Sequence, residues 1–240
     1  MRWGSTPAGR VRVLVINPVG HPRWDEVDKA IYESFASPNT EIVVKSFPEG
    51  PPSVEDPEAH AWVEHLVVKY GLAWFRQAEA EGRPYDAIIP NCFLDPGAEN
   101  LKALVPVPVV GPCEASLALA RVLGSRRVAV VTVGNKALWM IEERIRKAGY
   151  GDLVEGVYGI GLGVLDLDKD REATVREVVG KAREALRDGA DAIILGCTGL
   201  AGLAKEVEEV IKAPVIDPAG AAIKVAEGLV KVVRFTPARY

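Results

Sequence analysis

Cysteine and histidine are scarce in this chain, and long apolar runs and blocks of one charge are missing. Only 3 cysteines occur among 240 residues. So sparse and odd a set argues against a disulfide framework and leaves Cys92, Cys113 and Cys197 as free thiols. The 3 histidines are scattered, and His60 and His65 lie off any shared helical face, so no metal site is expected. No segment reaches the roughly 18 unbroken apolar residues that span a bilayer. Met1 to Arg10 has no apolar core, so it reads as a loose leader and not a signal peptide. The net charge is only −4, with no basic stripe and no charged tail, which argues against a nucleic-acid partner. With 48% hydrophobic and 26% charged residues, the remaining class is a soluble globular protein, expected in the cytoplasm.

One stretch occurs twice. Asp86-Ala87-Ile88-Ile89-Pro90-Asn91-Cys92 is echoed by Asp191-Ala192-Ile193-Ile194-Leu195-Gly196-Cys197. Downstream, Pro108-Val109-Val110-Gly111-Pro112 is answered by Pro214-Val215-Ile216-Asp217-Pro218. A single repeat at about half the chain length points to two similar lobes, not a solenoid. Each lobe then offers one cysteine at the carboxyl end of a strand.

The rest of the chain alternates strand and helix signals. Val11 to Ile16, Glu41 to Phe47, Tyr85 to Asn91, Leu104 to Gly111, Arg127 to Val133 and Val215-Ile216 read as strands. Helical spacing covers Trp24 to Phe35, Glu58 to Ala80, Glu114 to Leu123, Lys136 to Ala148, Arg171 to Arg187, Gly199 to Ile211 and Ala219 to Val233. In the second of these, Trp62, Leu66, Ala73 and Trp74 are expected near one stripe. Asp95 is expected to cap a helix opened by Pro96. The glycine-rich stretch Asp152 to Leu165 reads as a strand followed by a cleft loop. Alternation of this kind predicts an α/β fold of two pseudo-symmetric lobes, each a mostly parallel sheet flanked by helices, with the site in the cleft between them. Residues 1–113 with 217–240 would form the first lobe and 114–216 the second, the last helix packing back on the first.

Ligands of parallel α/β sheets collect outside the carboxyl ends of the strands, where Cys92 and Cys197 fall. A helix start follows each cysteine, and its positive end is expected to lower the thiol pKa from about 8.5 toward neutrality. Two such thiols facing one carbon can move a proton from one face to the other. Cys113 has no counterpart in the repeat, since Ala219 holds its place, and it reads as structural. Glu55, Glu114 and Asp217 flank strand ends; the latter two sit where caps are common.

Several of these motifs resemble the hydantoin racemase branch of the aspartate/glutamate racemase superfamily. They are Val15-Ile16-Asn17-Pro18, Cys92-Phe93-x-Asp95-Pro96-Gly97, Glu114-Ala115-Ser116, Val130-Val131-Thr132 and Gly196-Cys197-Thr198-Gly199. The resemblance implies a cofactor-independent racemase with Cys92 and Cys197 as the two bases. It places Asn17, Phe93, Thr132, Thr198 and Gly199 against the substrate, a hydantoin or related amino-acid derivative. It implies a small-molecule substrate and no cofactor; we also expect a homo-oligomer. Three alternatives use the same scaffold: isomerisation of a cis-diacid, racemisation of a free amino acid, and small-molecule binding without turnover.

Overall fold

The computed structural model describes residues 10–136 and 138–233, so nearly all of the expected leader lies outside the described residues. β1 (Val11–Asn17) is buried along its length except at Arg12, as a continuous β-branched run should be in the middle of a parallel sheet. It pairs on one side with β2 (Thr40–Ser46) and on the other with β3 (Ala87–Pro90), all parallel. The second sheet has the order β5-β4-β6-β7, again parallel. Its strands are β4 (Val128–Thr132), β5 (Val154–Gly159), β6 (Ala192–Leu195) and β7 (Val215–Ile216). The two copies of the repeated stretch form β3 and β6, and each pairs with the strand that opens its own sheet.

Helices cover the sheets. They are α1 (Asp25–Phe35), α2 (Pro57–Ala80), α3 (Ala98–Leu104), α4 (Pro112–Leu123), α5 (Leu138–Lys147), α6 (Arg171–Arg187), α7 (Ala204–Ile211) and α8 (Pro218–Val232). The α/β architecture is the expected one. α6 buries Val175, Val178, Val179 and Ala182 against the second sheet, the apolar stripe its spacing predicts. α8 does return to the first sheet. There its Glu227 accepts hydrogen bonds from the Ser37 amide at 2.7 Å and the Ser37 hydroxyl at 2.8 Å.

Four expectations need correction. Leu104 to Gly111 is not a strand: α3 runs through Leu104, and prolines 106 and 108 lack the N–H a ladder needs. What remains is a single bridge between Ile88 and Val109. The helix expected from Gly199 is broken, with a 3-10 turn at Thr198–Leu200 and α7 beginning only at Ala204. Between them Gly202 takes φ +83°, a left-handed conformation that suits glycine. The buried stripe of α2 is Ala59, Val63, Leu66, Val67, Gly71, Phe75 and Ala78, while Trp62 and Ala73 face solvent.

The fourth correction shapes the site. Asp95 does not cap the helix beside it. It adopts φ +50°, and Gly97 occupies the N-cap of α3 without a side-chain bond. The Asp95 carboxylate instead accepts hydrogen bonds from the amides of Cys113 (2.9 Å) and Glu114 (3.1 Å), at the first turn of α4. A Cβ at Gly111 would collide with that carboxylate, so position 111 has to be glycine. Arg144 of α5 completes the arrangement with bonds of 2.9 and 3.1 Å to Asp95 Oδ2. Asp95 is buried, with its side chain at 0% exposure, and Arg144 is largely covered at 14%.

Removing one partner of a buried ion pair typically costs 3–5 kcal/mol. Glu99 and Glu114 lie 3.6 and 3.5 Å from Arg144 and would offset part of that loss. Asp95→Ala is therefore expected to lower unfolding free energy in urea by about 3 kcal/mol. Unchanged stability in that variant would show that the pair does not hold the loop.

Candidate active site

β3 ends at Pro90 and β6 at Leu195, and the chain beyond each strand turns into one shared cavity of about 120 Å³. Cys92 and Cys197 both line it. So do Asn17, at the end of β1, and Thr132, at the end of β4, together with Phe93, Thr198 and Gly199. All seven residues singled out from the sequence thus meet in one place. Cys113 is fully buried beneath, packed with Leu117, Val128 and Ile194.

Many of the polar atoms at the cleft wall are bonded to protein. Thr132 donates its hydroxyl to the Gly196 carbonyl at 2.7 Å. Gly196 itself has no room for a side chain, because a Cβ would strike Val130. Thr198 donates to the Asn91 carbonyl at 3.1 Å, which ties the two cysteine loops directly together. The Asn17 amide donates to Asp25 at 2.8 Å and its oxygen accepts from Asn91 at 2.8 Å. Asn91 in turn accepts from the Tyr32 hydroxyl at 2.8 Å. This chain of bonds ties the residue before Cys92 to β1 and α1.

The thiols are half-buried, open to the cavity and enclosed by protein elsewhere. Burial pushes each of them up to about 12, the reverse of the expected lowering. Local donors act in the expected direction but are outweighed. The Leu94 amide bonds to Cys92, and the Gly199 amide reaches Cys197 Sγ at 3.3 Å. Negative neighbours add to burial: Cys197 acts on Cys92, and Glu55 and Asp28 act on Cys197.

Asp28 is a cleft residue that sequence reading passes over. Burial, aided by the charges of Asp25 and Asp168, raises its carboxyl to about 7, against the opposing bond from Asn17. The signal was present: Asp28 follows Trp24 by four residues and precedes Ile31 by three, so it is an acid on the apolar stripe of α1. Asp168, from the second lobe, also lines the cavity and accepts from the Trp24 indole at 3.1 Å. Glu55 accepts from the Val164 amide at 3.0 Å and from Ser53 at 2.8 Å, joining the 48–57 loop to the edge of the cleft. Glu114 and Asp217 stand apart from the cavity. Glu114 pairs with Lys102, and Asp217 caps α8, as expected of it. Gly159-Ile160-Gly161-Leu162-Gly163 ends β5 and loops to the cleft edge without opening an α-helix. No group of three or more metal-ligating side chains occurs among the described residues, and no helix there is long and apolar enough to cross a membrane.

Solved structures with the same fold include racemases. Glutamate racemase from Francisella tularensis superposes with a TM-score of 0.65 over 92% of this chain and 81% of its own, at 17% identity, a likeness of fold alone. Allantoin racemase from Pseudomonas fluorescens superposes with a TM-score of 0.88, at 32% identity and 95% coverage of both chains. A hydantoin racemase from Paenarthrobacter aurescens is 31% identical over 221 residues, 92% of this chain and 91% of that one. Residues 14–226 match the Asp/Glu/Hydantoin racemase family. The chain belongs to that family, and its class is that of the isomerases.

Thiols with raised pKa values react through a small thiolate fraction that grows tenfold per pH unit. Alkylation of Cys92 and Cys197 by iodoacetamide is expected to accelerate steadily from pH 7 to pH 9, with Cys113 protected until the chain unfolds. A rate already level at neutrality would mean that one thiol is ionised in the resting cleft.

Proposed function

We propose that this chain is a cofactor-independent racemase acting at a carbon beside a carbonyl of a hydantoin-type cyclic amide, with Cys92 and Cys197 as its two bases. The observation that carries the reading is the convergence of the duplicated strand-end cysteines on one cavity. One sulfur, as thiolate, takes the Cα proton, and the facing thiol gives its own proton to the opposite face. The two sulfurs then exchange roles in the reverse direction. Charge developing on the carbonyl oxygen needs donors placed in advance. The Phe93 and Thr198 amides, next to the two cysteines, bond to no described residue and are free for that task.

The cleft's charge favours a neutral substrate over the alternatives. Among the described residues no Lys, Arg or His lines the cavity, whereas Asp28 and Asp168 do. A cis-diacid or free amino acid would bring its carboxylate to a lining that holds Asp28 and Asp168 and no cation, Arg23 standing outside it beside Asp168. A cyclic amide brings N–H groups and carbonyls instead. Free thiols also fit a reducing compartment, and we place the protein in the cytoplasm.

Positioned acid–base groups typically contribute 10²–10⁴ in rate. Cys92→Ser and Cys197→Ser are each expected to lower racemisation of a 5-substituted hydantoin by about a thousandfold, followed by optical rotation in parallel with deuterium uptake at Cα. Full activity in either variant would end the two-base scheme.

A further inference from the structure

We infer that Asp28 is a specificity-determining residue, whose carboxylate receives an N–H of the substrate ring. The inference rests on the cyclic-amide reading above and deepens it. Two carboxyl side chains line the cavity, and they differ in what they are free to do. Asp168 is already held by the Trp24 indole at 3.1 Å, with Arg23 at 3.7 Å. Asn17 lies near enough to act on Asp28, but the 2.8 Å hydrogen bond of its amide goes to Asp25. A carboxylate has about four acceptor positions, so even one bond from an amide leaves most of its capacity unused.

The surroundings hold that capacity at the cavity. The Asn17 amide is itself locked, through Asp25 on one side and Asn91 on the other. Asp28 therefore lies beside a network that also ties down the residue before Cys92. Asp28 and the second-lobe thiol Cys197 line the same cavity, so a substrate held at the sulfurs lies within reach of both. Trp24, Val27 and Ile31 of the α1 region line the same wall and are apolar. A donor on the substrate is the group that a half-buried acceptor in such a wall requires. In a hydantoin ring, N–H groups lie beside the carbonyls that flank or face the reacting carbon. An acceptor there orients the ring as well as binding it.

The experiment uses the full chain with a 5-alkyl hydantoin and its N1-methyl and N3-methyl counterparts. Methylation of the nitrogen that meets Asp28 is expected to lower kcat/KM by about 10- to 100-fold, the worth of a hydrogen bond to a charged group. In Asp28→Ala the unmethylated substrate should fall by a similar factor, and the penalty for methylation should vanish. Asp28→Leu keeps about the size of the side chain while removing every acceptor and should also lose the penalty, which covers the case in which the alanine variant does not fold. A methylation penalty that persists in the variants, or is missing in the parent chain, overturns the assignment of Asp28 alone. Failure of the parent chain to racemise any of the three overturns the cyclic-amide reading, and this inference with it.

Discussion

A carboxylate seated on a helix N-terminus anchors each cysteine loop, and the two lobes reach that arrangement from opposite directions. In the first, Asp95 comes from the loop after Cys92 and caps the amides of Cys113 and Glu114. In the second, Asp217 already stands before α8, caps Ala219 and Gly220, and reaches back to the Gly202 amide at 2.6 Å. Cys113 and Glu114 correspond to Ala219 and Gly220 in the repeat, so the same two amides are bound in both halves. The swap explains why position 111 is glycine where 217 is aspartate: one carboxylate per helix end is all the space admits. Helix N-termini favour negative charge, and each cap satisfies amides that would otherwise be orphaned. The thiols inherit their positions from these anchors.

Patterns that run along the chain were legible in the sequence. The duplicated Asp-Ala-Ile-Ile runs specified two strands in equivalent places, and the rule that ligands gather at strand carboxyl ends brought Cys92 and Cys197 together. Properties set by tertiary partners were not. Nothing local marks Asp95 as left-handed, since the reason lies at Gly111, Cys113 and Arg144, far along the chain. The strand expected near Val109 is reduced to one bridge because Pro106 and Pro108 lack the N–H groups a ladder needs, whatever the β-branched residues between them favour. The resemblance implies substrate contacts at Thr132, Thr198 and Asn17; in the structure all three line the cleft while bonding to Gly196, to Asn91, and to Asp25 with Asn91, partners that lie far along the chain or in other elements.

The largest disagreement concerns the thiols, and its cause is a balance of magnitudes. A nearby helix end or a single amide donor offers a modest preference for thiolate. Enclosure by protein removes water from the charged form and can shift a pKa by several units. In this cleft Asp95 pushes Cys92, and Glu55 and Asp28 push Cys197, in the same direction as burial. Desolvation is the larger cause, and it favours the neutral thiol at both positions.

That outcome has a chemical logic. Thiolate, not thiol, is the form that oxidants and electrophiles attack. The Trp24–Asp168 and Glu55–Val164 contacts cross the edge of an acid-lined cleft, and raised pKa values there lower the thiolate fraction open to such attack. Ionising one of them among these charges requires a compensating change, and the substrate is the group able to supply it. On the cyclic-amide reading proposed above, a ring that donates N–H bonds to the acidic wall offsets negative potential there. The repulsion that opposes a thiolate then weakens in the complex, while burial of the sulfurs remains, and the balance between the two decides whether one sulfur ionises.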